Sequence, residues 1–522
     1  MPHPASISPA TYLRSRLGKV CIALRGTSVE ELLQRAHAAI ADSQFLEFRL
    51  DSLTRPTAAL APIAQFLAAH KDVAAIATCR RKAFGGEFSG SLADELVILT
   101  AAAEVGFAII DLEIESAEEC SPAALEVLRE TADLSGTALL LSFHDFQAAG
   151  DPEATFHRIQ RFEPDFIKIV NTAHSLTDSL NLLDWIKERS GDAQLVAIAM
   201  GEAGIVSRVL SLRAGSAFTF ASAPDGAETA PGQMTARTLK DLYRIDQIDQ
   251  ATRIYGVAGN PISHSLSPLV QNTAFRRERI NAVYLPLKTE SGPNGVADLL
   301  TLIRKLPLSG LSITMPLKEH VLPHLANVDP LTARLGACNT IRLGADGKLY
   351  GFNTDVAGIV RPLEKRMTLK DRRILVLGAG GAARAAVYGL AEKGAKVSLW
   401  SRKEAIAKQL ASNAGATLIT RKQIAESEFD VLINATPCGM TGNAHPLPLE
   451  NEEWKARLVF DLVYNPLDTP LLQAAKARGV QTIQGVEMFV HQGARQFELW
   501  TGKPAPEAEM LRVVLHALNK PH

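Results

Sequence analysis

Eight short apolar runs recur through the first half of the chain, and this rhythm constrains its fold more than any other feature. They are "KVCIAL" near 19, "FLEFRL" near 45, "VAAIATC" near 73, "FAIIDLEI" near 107, "ALLLSF" near 138, "FIKIV" near 166, "LVAIAM" near 195 and "AFTFA" near 217. Most are separated by segments with helical spacing, such as "VEELLQRAHAAIA" and "LADELVILTAAAEV". Runs apolar on both faces, each followed by a helix, describe parallel strands under helices, and eight such units match the usual ~250-residue (β/α)8 barrel. The rhythm stops at "LKDLYRIDQIDQATR", which reads as a polar helical stretch. A second β/α series opens at "IYGVAG" and contains "RILVLGAGGAARAAVYGLAEKGAKVSLWSR", a strand, glycine turn, helix and strand. The expected class is therefore α/β, with an N-terminal TIM barrel at 1–248. A two-lobed α/β unit follows at 249–522, with a substrate lobe at 254–360 plus 481–522 and a Rossmann-like lobe at 361–480.

The length of 522 residues also calls for more than one core. A net charge of −1 gives no reason to expect a nucleic-acid partner. Five scattered cysteines without a CxxC pair or Cys/His cluster predict neither a disulfide frame nor a metal site, and fit a reducing cytoplasm. The N-terminal residues lack the apolar run of a secretion signal, and no run is long enough to span a membrane.

In a barrel, chemistry belongs at the C-terminal strand ends. These carry Glu47, Arg49 and Asp51, then Arg80, Asp111 and Glu113, His144 and Lys168. Lys168 lies between Ile167 and Ile169. A lysine there is either a desolvated amine ready for Schiff-base chemistry or a cation that pairs with an acid or reaches the rim. His144 is either a proton carrier or a hydrogen-bonded rim histidine. Arg49 and Arg80 can grip a carboxylate or form ion pairs within the rim.

The ordered set "EFRLD", "TCR…GG", "DLE", "SFHDF", "DFIKIV", "MGEAGIVSRV" and "APGQ" resembles type I 3-dehydroquinate dehydratase over residues 19–240. The resemblance implies a Schiff base on Lys168 and acid–base work by His144. It also implies substrate contacts from Glu47, Arg49, Arg80, Arg208, Thr229 and Gln233. One departure stands out. Family members carry a glutamate before the Gly-Gly, where it orients the histidine, and this chain has Phe84. Glu87 is either a substitute or a solvent-facing side chain, and Arg81 and Lys82 read as solvated charges.

In the second half "GNPISHSLSP" spaces Ser265 and Ser267 two apart, "LSITMPLKEH" holds Thr314 and Lys318, "GACNT" holds Asn339 and "GFNTD" holds Asp355. Lys318 and Asp355 are a possible proton-transfer pair or two unrelated surface residues. "GAGGAA" has the strand before it and the helix after it that dinucleotide binding needs. The next strand ends in Ser401, Arg402 and Lys403 rather than in an acid, which favours NADP over NAD.

These motifs, with "INATPCGM", "DLVYNPLDTPLL" and "MFVHQGARQFELWTGK", resemble shikimate dehydrogenase over residues 254–503. The resemblance implies Lys318 as the acid–base residue assisted by Asp355, and substrate contacts from Ser265, Ser267, Thr314, Asn339, Tyr464 and Gln492. Gly378, Ala379, Gly380, Gly381 and Ala382, with Ser401, Arg402, Lys403, Leu462 and Gly485, would lie along the cofactor. Pro437 stands where members often have serine. Together the two resemblances imply consecutive reactions: 3-dehydroquinate to 3-dehydroshikimate, then NADPH-dependent reduction to shikimate. The alternatives are a quinate-specific second half, or a barrel that is weak or non-catalytic because of Phe84.

Overall fold

In the computed structural model the eight apolar runs are parallel strands: β1 Val20–Leu24, β2 Phe45–Arg49, β3 Ala74–Thr78, β4 Ile109–Glu113, β5 Ala138–His144, β6 Phe166–Thr172, β7 Leu195–Met200 and β8 Thr219–Ala221. Residues 13, 17–226, 232–262, 265–290, 293–450 and 453–519 are described. The hydrogen-bonded order β7-β6-β5-β4-β3-β2-β1-β8 makes a nearly closed barrel. Its interior is filled by Cys21, Phe45, Ile76, Ile109, Leu140, Phe166, Val196, Phe218 and neighbouring side chains. The intervening helices start where the sequence supplies caps. Ser91 and Asp94 close a capping box on Leu92–Glu104, and Ser175 and Asp178 do the same on Leu176–Arg189.

Register decides which polar residues meet. Thr78 lies opposite Asp111, Glu113 opposite Ser142, and Ser142 opposite Lys168. Four adjacent strands thus bring polar residues together, with a step of two residues along β4 from Asp111 to Glu113.

The chain divides into two compact units between Thr252 and Arg253, with 286–290 and 297–306 grouped with the first. The polar helix expected before this point is reduced to two short turns, Thr238–Leu242 and Ile245–Gln247. Arg244 between them has φ 54°, a left-handed conformation that stops a helix, and Tyr243 and Ile245 are buried.

The second unit has two sheets. In the first, β9 Arg253–Gly259, β10 Ala282–Lys288, β11 Leu308–Ile313, β12 Asn327–Val328, β13 Thr340–Leu343 and β14 Leu349–Phe352 take the order β10-β9-β11-β13-β14-β12. The C-terminal helices Gly485–Thr501 and Glu507–Leu518 bring Val490, Phe497, Trp500 and Val514 into one core with Tyr255, Phe275 and Tyr284. The second sheet contains β15 Arg373–Leu377, β16 Lys396–Trp400, β17 Thr417–Leu418, β18 Phe429–Asn434, β19 Ala456–Asp461 and β20 Gln481–Ile483. All its pairs are parallel, and its order β17-β16-β15-β18-β19-β20 is the doubly wound arrangement that places a ligand beyond the carboxyl end of β15, where the strand order reverses.

The turn after β15 depends on glycine. Gly378 has φ 114°, and a Cβ there would lie 2.8 Å from the Ala435 carbonyl oxygen. We expect Gly378→Ala to lower the unfolding free energy by about 1–3 kcal/mol, measured by urea denaturation, because both the conformation and the space exclude a side chain.

Candidate active sites

Lys168 on β6 is buried at the floor of a barrel pocket lined also by Glu47, Arg49, Arg80, His144, Phe146, Arg208, Phe220 and Gln233. Burial of an ammonium requires compensation. Lys168 Nζ lies 2.9 Å from Asp111 Oδ2 and 3.6 Å from Glu47 Oε1, and 4.3 Å from the Phe220 ring centre. It is therefore both desolvated and paired. The Thr78 hydroxyl fixes Glu47 by donating to it at 2.7 Å.

Glu113 answers the question raised by Phe84. His144 Nδ1 is 3.0 Å from Glu113 Oε1, so a carboxylate from the neighbouring strand orients the ring and leaves Nε2 free. Arg80 Nε reaches the same carboxyl at 2.9 Å. Ser142 Oγ lies 2.5 Å from Asp111 Oδ1 and 2.7 Å from Glu113 Oε2, so one hydroxyl proton faces two carboxyl groups. Burial tends to raise Asp111, but Lys168 and Arg80 outweigh it and hold that carboxyl well below the usual range. Burial pushes Glu113 up against the pull of Arg80, which makes Glu113 the member of the pair that takes up a proton more readily. Burial, with Arg80 and Lys168 nearby, pushes His144 well down, so its ring is neutral near pH 7 and can accept a proton.

The Phe84 loop has its own anchoring. Glu87 is exposed and pairs with Arg25, while its backbone N–H donates to Asp51; it does not replace the missing glutamate. Arg81 is not the solvated charge expected from sequence. It is half-buried, pairs with Glu95 at 3.0 Å and Glu119 at 2.7 Å, and covers the Phe84 ring. Glu95 is fully buried, and burial lifts its carboxyl to about 7 despite Ser116 and Arg81. Lys82 is exposed as expected. Arg49 is held in a two-pronged pair with Asp51, at 2.9 and 2.7 Å. Phe146 lies over His144 at 6.0 Å and fills the space that a Cβ on Gly85 would need. Thr229 lies outside the described residues.

In the second unit a cavity of about 430 Å³ gathers Ser265, Ser267, Thr314, Lys318, Asn339, Asp355, Tyr464 and Gln492, the full set of substrate and catalytic positions expected there. Lys318 Nζ lies 2.7 Å from Asp355 Oδ2, and Asn339 Nδ2 donates to Asp355 Oδ1 at 2.8 Å. Asp355 also begins the helix Asp355–Glu364, where N-terminal backbone dipoles favour its negative charge.

Sequence reading missed a buried relay behind this cavity. Tyr284 Oη donates to Ser312 at 2.5 Å, Ser312 to Gln496 Oε1 at 2.9 Å, and Gln496 Nε2 to Thr340 at 3.0 Å. Two of these positions were legible: Ser312 is two residues before Thr314 on β11's extension, and Gln496 is one helical turn after Gln492.

A second cavity, lined by Ala382, Thr436, Pro437, Met440 and Val463, shares Ser265, Leu462, Tyr464 and Met488 with the first. The residues present fit a dinucleotide. Cβ atoms on Gly380 or Gly381 would meet nothing within 4 Å, and the helix Gly381–Glu392 has no side-chain cap on its N-terminus. Ser401, Arg402 and Lys403 follow β16, and among the described residues neither cation has a carboxylate partner. Gly485 opens the helix Gly485–Thr501, packed so closely that a Cβ would strike the Val463 carbonyl.

Family models match in the same order: type I 3-dehydroquinase over residues 20–250, shikimate dehydrogenase substrate binding domain over 257–341, and shikimate 5'-dehydrogenase C-terminal domain over 485–515. The chain is 32% identical over 515 residues to a bifunctional 3-dehydroquinate dehydratase/shikimate dehydrogenase, chloroplastic, of Arabidopsis thaliana, covering 94% of this chain and 83% of that one. The chain belongs to the bifunctional dehydratase–dehydrogenase family. Its second half is also 37% identical to a shikimate dehydrogenase (NADP(+)) of Maridesulfovibrio salexigens, over 51% of this chain and 97% of that one. Among solved structures, a Thermus thermophilus shikimate 5-dehydrogenase in complex with NADP(H) and shikimate matches with a TM-score of 0.47 and 35% identity, over 51% of this chain and 100% of that one.

Because Glu113 already holds His144, Phe84→Glu should change dehydratase turnover by less than about 3-fold, whereas Glu113→Ala should lower it by about 10²-fold. Steady-state rates of both variants on 3-dehydroquinate check this.

Proposed function

We propose that this chain carries out two consecutive reactions, dehydration of 3-dehydroquinate in the barrel and NADPH-dependent reduction of the resulting 3-dehydroshikimate to shikimate in the second unit. The observation that carries the reading is the placement of Lys168 and His144 on adjacent strands, both lining one pocket. Lys168 attacks the substrate ketone as its ammonium passes a proton to the neutral His144 ring, which returns that proton to the departing hydroxyl, so loss of water from the adduct leaves an iminium and a neutral imidazole. His144 Nε2 then takes a proton from the carbon next to the iminium. The electron pair expels the hydroxyl group one carbon further on, with a proton returned to it, and water leaves. Hydrolysis of the iminium frees the product and regenerates the amine. Arg80, Arg208 and Gln233 line the same pocket and suit the substrate's carboxylate and hydroxyl groups.

In the second unit Ser265, Ser267 and Thr314 offer hydroxyls to the substrate, and Tyr464 and Gln492 close the cavity. NADPH, when bound, supplies the hydride. Lys318 donates a proton to the ketone oxygen as negative charge develops there, and Asp355 keeps the ammonium in place. The turn at Gly378–Ala382 would hold the pyrophosphate, and Ser401, Arg402 and Lys403 the 2′-phosphate. Ser401 and Arg402 in place of an acid at the end of β16 support NADP, and the hydroxyls of Ser265, Ser267 and Thr314 support shikimate over quinate. No helix among the described residues is long and apolar enough to cross a membrane. All five cysteines are free thiols, which suits a reducing compartment such as the cytoplasm.

Borohydride added with 3-dehydroquinate should fix a covalent adduct on Lys168, seen by peptide mass, and Lys168→Ala should lose both adduct and dehydratase activity. Lys318→Ala should lower shikimate oxidation by about 10³-fold while leaving the dehydratase rate unchanged. An adduct that persists in Lys168→Ala would contradict the assignment.

A further inference from the structure

The Rossmann-like sheet brings together two basic side chains that lie far apart in the sequence. Arg402 follows β16, and His445 belongs to the loop after β18. β15, with its glycine turn, lies between those strands in the sheet. Arg402 Nη1 nevertheless approaches His445 Nε2 to 3.5 Å, so the two side chains converge across the carboxyl end of β15.

The approach is built into the loop. Asn443 Oδ1 accepts from the His445 backbone N–H at 2.9 Å, and the His445 carbonyl accepts from the Gly439 N–H at 2.9 Å. At 3.5 Å the side-chain contact lies at the outer limit of a hydrogen bond and does not itself hold the groups together. Among the described residues no carboxylate pairs with Arg402, Lys403 or His445, although eight other arginines of this unit have an acidic partner. Arg402 is the charged group that faces His445; Lys403 and Glu404 follow it on the same segment. Two nitrogen groups converging without an acid leave a place for an anion.

We propose that His445 is a further binding residue of the cofactor site, which together with Arg402 grips the 2′-phosphate of NADP and makes its affinity dependent on pH. This rests on the NADP reading above and adds to it a residue from a different loop. Histidine titrates across physiological pH, and a phosphate beside it favours the protonated ring. Protonated His445 is a second cation for the phosphate; neutral His445 is not. The phosphate's own second ionisation near pH 6 strengthens its attraction to Arg402 as pH rises, a contribution common to the parent and every variant. The signature of His445 is therefore the difference between parent and variant.

His445 is exposed, so its replacement leaves no cavity. Titration calorimetry of NADP+ and NAD+ against the full chain between pH 5.5 and 8.5 tests the proposal. His445→Gln should weaken NADP+ by about 3-fold at pH 6, with little effect at pH 8.5 and none on NAD+, the modest size reflecting an exposed charge pair. His445→Lys should bind NADP+ as tightly as the parent does at pH 6 and keep that advantage at pH 8.5. Equal weakening of NADP+ and NAD+ in His445→Gln would overturn the proposal by assigning the ring to the adenosine they share. An unchanged difference between parent and variant across pH would overturn it while leaving the NADP reading intact. A parent that binds NAD+ as well as NADP+ would remove both.

Discussion

Buried charge governs the barrel. Glu47, Asp111 and Glu113 meet Lys168 and Arg80 with almost no solvent between them, and none of these groups can be placed there alone. Each carboxyl group answers a cation or a hydroxyl: Asp111 faces Lys168, Glu113 faces Arg80 and His144, and Ser142 sits between the two acids. Loss of any one member leaves an uncompensated charge, so the pairing fixes side-chain positions as firmly as apolar packing fixes the layer below. It also sets the chemistry. Positive charge close by keeps Asp111 ionised against the cost of burial, while burial, with Arg80 and Lys168 nearby, keeps His144 neutral, and a neutral imidazole near a lysine is what Schiff-base dehydration requires.

The second unit uses a milder form of the same device. Lys318 is half-exposed, and its partner Asp355 has both oxygens engaged, one by the lysine and one by Asn339. Asn339 is in turn held by Thr340 and Thr354, so the Lys318–Asp355 pair rests on a hydrogen-bonded polar frame next to an open cavity. Gln496, Ser312 and Tyr284 extend this frame into the apolar core beneath the C-terminal helices.

Much of this was legible in the chain itself. Apolar runs at even spacing specified the barrel strands, and the glycine turn with its flanking strand and helix specified the doubly wound sheet. The expected cavity residues of the second unit converge because their motifs sit at strand ends and helix starts. What stayed hidden depends on register between strands. "DLE" displays Glu113 and "SFHDF" displays His144, yet only the pairing of Glu113 with Ser142 places that carboxyl under the ring two residues further on. The local sequence around Phe84 pointed to a missing group, because the chain gives no sign that a neighbouring strand supplies it. Arg81 was misread for a similar reason: its partners Glu95 and Glu119 come from later helices. The contact between Arg402 and His445 spans 43 positions and carries no motif at all.

The central claim is that one chain joins these two chemistries in sequence. It is tested most directly by mixing the protein with 3-dehydroquinate and NADPH, without any added dehydratase, and following absorbance of the reduced nicotinamide. The account predicts steady oxidation of NADPH with accumulation of shikimate. Oxidation that begins only when 3-dehydroshikimate is supplied would contradict it.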